Sequence, residues 1–343
     1  MDRQNCDIVI IGMGLGAAAI AKRLAQTGSS IVMLPGAGNA RFKHLEGGIV
    51  DPAILRDALG DVSSAPLSVI GSHHVFRRDQ IEEWAIQQVA DSVEIVADFE
   101  EAYTIPHDTG KTSIIDATGE QSLVANSIVL TEGANPKIGI AARLRRDFDP
   151  EDMIHFGRAM VPGVEIDGPK TGAWRTPDNM PARYILIPQA GGVSVSVSVR
   201  IENVMRSGRD GRAVLADFLA SEKAEELGIT GEHGEIGMEL VPLLPDRGKG
   251  MTGAHNIMIS LDANGVIDAR SVRRYDAMLS AGREMGSMIA REWPNLVEWQ
   301  ELGVSMWDVF TSGRRPYHDD SNTGFIEDGP GKGRGLLSRL LKR

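Results

Sequence analysis

The residues best placed to do chemistry stand near the start of the chain. Gly12-Met13-Gly14-Leu15-Gly16-Ala17 follows the apolar run Asp7-Ile8-Val9-Ile10-Ile11 and precedes an alanine-rich segment that reads as a helix over 18–26. In a strand–turn–helix unit this spacing accepts a dinucleotide pyrophosphate. Gly12 permits the tight turn, Gly14 lets a phosphate approach the backbone, and the small Ala17 lets the helix close on the strand, while the helix N-terminus faces the anion. The next strand, Ile31-Val32-Met33-Leu34, runs into Pro35-Gly36, where the usual pattern has an acidic residue for a ribose. Glu46, Asp51, His44 and His155 are further candidates for acid–base work, and spacing pairs none of them. His73-His74 on a strand would point to opposite faces, so the pair does not make a metal site, and no metal is expected. A nucleophile elbow, a P-loop lysine and a kinase signature are absent from the sequence.

Cys6 is the only cysteine, which excludes an internal disulfide, a four-cysteine zinc site and an all-thiolate iron–sulfur cluster within one chain. It reads as a small, semi-buried residue. A net charge of −11 argues against nucleic-acid binding through a general basic surface. The charge is uneven: Lys332, Arg334, Arg339, Lys342 and Arg343 lie in a C-terminal stretch with no acid, so the rest of the chain is more acidic than the total suggests.

These residues need elements to position them. With 343 residues, 42% of them hydrophobic, the chain can bury a substantial core in two domains or one large α/β assembly. Tyr184-Ile185-Leu186-Ile187-Pro188 and Val193-Ser194-Val195-Ser196-Val197-Ser198-Val199 alternate with period two, as strands with one face covered and one wet do, and a helix over 213–227 is expected to lie on them. Trp293, Trp299 and Trp307, with Leu296, Val297 and Met306, form a helical apolar stripe read as core packing, the alternative being a partner- or membrane-facing surface. Residues 311–335 read as a flexible linker and 336–343 as a short basic amphipathic tail suited to a membrane surface or an acidic groove. The N-terminus lacks a secretory pattern and no apolar run is long enough to span a bilayer, so a cytoplasmic protein, peripheral to the membrane's inner face through its tail, is expected.

Gly47-Gly48-Ile49-Val50-Asp51-Pro52, an amphipathic helix and Ala65-Pro66-Leu67 together resemble the second conserved stretch of the electron-transfer flavoprotein–quinone oxidoreductases. His74-Val75-Phe76-Arg77-Arg78 and the following helix are similar to the family's strand–arginine–helix element. Glu132-Gly133 resembles its strand-to-turn motif, and Asp262 and Gly265 match its return to the cofactor. The resemblance covers roughly residues 7–290 and is to the shorter, nitrogen-fixation-type members without the iron–sulfur domain, within the wider geranylgeranyl reductase-like proteins.

The resemblance implies an α/β, two-domain flavoprotein fold. A Rossmann-like FAD-binding domain would occupy 1–149 and 251–310, with an antiparallel-sheet substrate domain over 150–250 inserted in it. It implies FAD held by Gly12, Gly14, Gly16, Ala17, Gly47, Gly48, Arg78, Glu132, Gly133, Asp262 and Gly265, and it assigns no catalytic residue. Electrons would pass through the flavin to a quinone or another apolar acceptor, with an electron-transfer flavoprotein or other redox protein as partner. Pro35, Leu261 and Val272-Arg273-Arg274 depart from the family pattern on segments that should touch FAD. They motivate an alternative, a flavoprotein fold that has lost its cofactor and works as a binding or assembly subunit. An FAD monooxygenase or prenyl reductase is the third reading.

Overall fold

The structure, a computed structural model, describes residues 3–36, 40–99, 103–106, 111–116, 118–119, 122–133, 137–141, 153–242, 253–254, 257–259 and 270–301. Strands β1–β16 and helices α1–α8 are numbered along the chain, and among the described residues the strands form three sheets.

The first sheet is mainly parallel. β1 (Arg3–Ile11) lies between β2 (Ile31–Leu34) and β9 (Ser122–Leu130), with β6 (Glu94–Ile95) beyond β2 and β16 (Ile257–Ile259) beyond β9. β7 (Tyr103–Pro106), β8 (Thr112–Ile115) and β15 (Gly253–Ala254) add antiparallel pairings. β1 shows no alternation of polarity because both its faces are covered. Ile8 and Ile10 join one core cluster and Val9 and Ile11 another.

Helix α1 (Leu15–Leu24) covers one face, ends in a 3-10 turn over Ala25–Thr27, and is in turn covered by α8 (Arg274–Glu301). The two helices approach so closely that a Cβ on Gly282 would stand 2.5 Å from the Gly16 carbonyl oxygen. Glycine at that crossing is a packing requirement, and Met285, Met288 and Ile289 fill the seam beyond it.

The second sheet is antiparallel, in the order β11 (Lys170–Arg175), β12 (Pro181–Gln189), β13 (Gly192–Arg200), β10 (Met153–Pro162), β14 (Ile236–Pro242). The valines of β13 pack with Val214, Leu215 and Phe218 of α6 (Gly211–Leu219), preceded by α5 (Ile201–Ser207). The single helix expected over 213–227 is two. Ser221 accepts the amide of Ala224 and so starts a separate α7 (Glu222–Glu226). The serines of β13 face the other way and are buried too, so the wet face expected from the alternation is covered by protein.

That serine face meets the third sheet, β3 (Gly47–Ile49), β5 (His73–Arg77) and β4 (Ser68–Ile70). Ser194 Oγ donates to the Leu45 carbonyl at 2.6 Å and accepts the Gly47 amide at 3.0 Å. Ile187 packs with Ile49 and Val75. α2 (Pro52–Leu59) is capped by Asp51, which accepts the Ala53 amide at 2.8 Å, and α3 (Arg78–Gln87) follows β5 directly. α4 (Lys137–Ala141) is a short helix after β9. The fold is thus mixed α/β, a Rossmann-like parallel sheet with separate antiparallel sheets, as the sequence implies. Among the described residues no helix is long and apolar enough to cross a membrane.

Candidate functional site: a glycine turn and a buried charge cluster

The glycine turn closes three strand ends together. The Gly12 amide donates to the Leu34 carbonyl at 2.8 Å and the Thr131 amide to the Ile11 carbonyl at 2.7 Å. Gly12 has φ +127° and a Cβ there would stand 2.4 Å from the Thr131 carbonyl oxygen, so no other residue fits. Gly14 is the N-cap of α1 and no side chain caps that helix, so its first amides are left for another acceptor. A Cβ on Gly14 would find one described neighbour within 4 Å outside the turn, Glu82 Oε1 at 3.5 Å. Gly16 and Ala17 are buried beneath the crossing with α8.

On the far side of the turn, Gly36 comes against Glu132, whose Cα would lie 3.0 Å from a Cβ placed there. Glu132 turns inward and accepts the amides of Ile138 (3.2 Å) and Gly139 (3.4 Å), holding the start of α4. Burial pushes its carboxyl up to about 7 against the opposing effect of those two amides. Gly133 follows with φ +91°.

A row of charged side chains begins at Gly14 and ends on the second sheet. Arg78, the first residue of α3, donates from Nε to Glu82 Oε1 at 2.9 Å and from Nη1 to Glu46 Oε2 at 2.8 Å. Lys43 Nζ stands 2.6 Å from Glu82 Oε2. Glu46 is 2% exposed and also takes the Tyr275 hydroxyl at 2.6 Å, an ion pair with Arg274, and Arg158 Nη1 at 3.5 Å. Arg158 reaches Ser196 Oγ at 3.2 Å and Glu239 at 2.9 Å. Four cations, Lys43, Arg78, Arg158 and Arg274, therefore face three carboxylates, Glu46, Glu82 and Glu239. Burial pulls against ionisation of both Arg78 and Glu82, and each is returned to its charged form by the other, with Lys43 helping to hold Glu82 below the usual carboxylate range.

The expected site residues divide into three groups. Gly12, Gly14, Gly16, Ala17, Glu132 and Gly133 gather around the turn, and Arg78 reaches that turn through Glu82. Gly47 and Gly48 lie on β3 against protein: the Gln189 amide occupies the space beside Gly47, and the rings of Phe76 and Tyr275, edge to face at 4.9 Å, close over Gly48. Asp262 and Gly265, with Leu261, lie outside the described residues, as do the side chains of Trp293, Leu296, Val297 and Trp299 and everything in 302–343.

The other acid–base candidates have structural partners. Asp51 caps α2; His155 Nδ1 accepts the Gly211 amide at 3.2 Å at the start of α6, and burial lowers its pKa. His44 is exposed, with Glu235 at 3.9 Å. Cys6 is buried and its thiol is pushed up to about 12, chiefly by that burial and then by Asp7. Among the described residues no group of three or more His, Cys, Asp or Glu side chains is arranged to hold a metal ion.

Sequence reasoning missed Lys43, Glu82, Arg158, Glu239 and Tyr275. Two of these left a signal: Glu82 stands four residues after Arg78 on one helix, and Arg158 is in phase with the buried Ile154 and Phe156 along β10. A charged residue in the inward phase of a strand requires a buried partner.

No protein-family model matches the sequence, and no curated protein matches it. Solved structures do share the fold. A geranylgeranyl bacteriochlorophyll reductase-like protein from Thermoplasma acidophilum is 14% identical, with a TM-score of 0.63 over 88% of this chain and 83% of that one. The myxobacterial chondrochloren halogenase, described as a new variant of FAD-dependent halogenases, is also 14% identical, with a TM-score of 0.61 over 87% of this chain and 78% of that one. An anhydrotetracycline hydroxylase from Streptomyces rimosus, 14% identical, has a TM-score of 0.54 over 87% of this chain and 65% of that one.

Proposed function

We propose that the protein is an FAD-dependent oxidoreductase. One observation carries the reading: the bare turn Gly12–Gly14, with an uncapped helix N-terminus beside it and Arg78 one side chain away, inside a fold shared with a reductase-like protein and an FAD-dependent halogenase. These residues fit the phosphate end of the cofactor. The first amides of α1 would accept the pyrophosphate, Gly14 would admit it to the backbone, and Arg78 would supply a bidentate cation. Pro35 offers no carboxylate to the ribose, which would be held by other groups. Bound flavin supplies hydride and electron transfer, and the protein supplies binding, orientation and exclusion of water. Here α8 packs over α1, and the rings of Phe76 and Tyr275 close over Gly48 of β3.

The finer reading is electron transfer through the flavin to a quinone or another apolar acceptor, received from an electron-transfer flavoprotein or similar partner, with 336–343 resting on a membrane surface. Resemblance at residues 47–67 supports it. A monooxygenase or prenyl reductase shares the fold, and the halogenase, hydroxylase and reductase-like neighbours support that class equally. A second class, a cofactor-free binding or assembly subunit, is favoured by a separate observation: Arg78 already carries two carboxylates. The absorption spectrum of purified protein, with mass analysis of the released ligand, decides between the classes. Flavin bands and FAD near one per chain are expected. A colourless protein that takes up no FAD on reconstitution would leave the subunit reading in its place.

A further inference from the structure

We infer that Glu82 and Glu46 act as built-in competitors for the cofactor's phosphates, so that the dinucleotide enters by displacing carboxylates from Arg78. The inference rests on the FAD reading and concerns this chain's own residues at the phosphate end. Arg78 spends its Nε on Glu82 and its Nη1 on Glu46, at 2.9 and 2.8 Å, distances of charge-assisted bonds. Glu82 Oε1 is also the one described atom that a substituent on Gly14 would approach, at 3.5 Å. A phosphate arriving at Gly14 therefore meets a carboxylate in a buried setting, where like charges disfavour one another strongly.

The arrangement provides for the exchange, because each carboxylate has a second partner. Glu82 retains Lys43 at 2.6 Å; Glu46 retains Tyr275 at 2.6 Å, Arg274 and Arg158. When Arg78 turns to a phosphate, neither carboxylate is left without a counter-charge. The site thus has two balanced arrangements: Arg78 on its own carboxylates, or Arg78 on the ligand with Lys43 and Arg274 carrying the acids. Affinity follows the difference between them, and a change at Glu82 acts on phosphate binding through Arg78.

The test uses the full chain stripped of flavin and titrated calorimetrically with FAD and, separately, with ADP, which presents the pyrophosphate without the flavin ring. Glu82→Gln keeps the shape and removes the charge, and it is expected to tighten both ligands about tenfold. Glu46→Gln, in which Arg78 is likewise freed, is expected to tighten both by a smaller factor and stands in if Glu82→Gln does not fold. Placed on an Arg78→Gln background, Glu82→Gln is expected to give less than half of its gain, since its effect runs through that arginine. Wild-type binding with no gain in either variant, or a full gain that persists without Arg78, would overturn the inference and leave the FAD reading standing. No binding of FAD or ADP by wild type or variants would overturn both.

Discussion

Glu82 and Glu132 are each 4% exposed, each borders the same glycine turn, and they titrate in opposite directions. Glu132 is held by two backbone amides, which do not offset its burial, and its carboxyl rises to about 7. Glu82 meets the same burial, but Arg78 and Lys43 overcome it. At Glu132 two amides and the more distant charge of Lys137 fall short of its burial, whereas at Glu82 two directly paired cations exceed it. The turn thus has one side where the protein concentrates cations and another where it carries an acid that titrates close to neutral pH.

The strongest way to break this comparison is to remove the shared cation. Arg78→Met leaves Glu82 and Glu46 short of their principal partner and is expected to cost about 3–5 kcal/mol at pH 7, measured by urea unfolding. The loss should shrink below about pH 4, where Glu82, left without it, takes up a proton. An equal loss at both pH values would mean the arginine acts through packing.

The opposite manipulation applies to Glu132. Its folded pKa lies above its unfolded value of 4.5, so between 4.5 and about 7 the folded state holds a proton the unfolded state has released. Stability therefore falls as pH rises through that window and is flat above it. Glu132→Gln removes the penalty and is expected to match wild type at pH 4.5 and to exceed it by about 2–3 kcal/mol at pH 8. Thermal unfolding across pH reads this directly, and parallel curves for the two proteins would refute it.

Lys43→Met is expected to move Glu82 part of the way toward Glu132, at a cost of about 1–2 kcal/mol at neutral pH and with an acid unfolding midpoint shifted upward. The last test takes a buried group whose shift owes nothing to a cation. Cys6, pushed up to about 12 from 9.0, should react with a disulfide reagent at pH 8 about a thousandfold more slowly than a free thiol, the residual rate tracking unfolding. Rapid labelling of the native protein would contradict the burial that sets its pKa.

Local features of the site were legible in the sequence, and long-range ones were not. The continuous run Ile8-Val9-Ile10-Ile11 correctly marks a strand covered on both faces, whereas the alternation of 193–199 marks a strand but not its wet face, since the serines are buried along with the valines. The destination of the serine face could not be read, since Ser194 meets Gly47 only through the pairing of distant segments. Glu46 is a plausible acid in the sequence without a visible partner, because its partners lie on β10, at the start of α3 and at the start of α8. The break between α6 and α7 was missed because the apolar period continues across Ser221, while the capping bond that stops the helix is a one-residue event.

The glycine crossing of α8 on α1 also dictates an order of events. Gly16 precedes Gly282 by most of the described chain, so the glycine turn is made well before the helix that covers it. The strands of the second sheet lie wholly between them in sequence and pair only with one another, so that sheet can assemble earlier. The parallel sheet must await α8 before the outer side of α1 is dry. During synthesis, the segment built to receive an anion spends its time as an uncovered strand and helix, and completion of its fold is coupled to arrival of the C-terminal third of the chain.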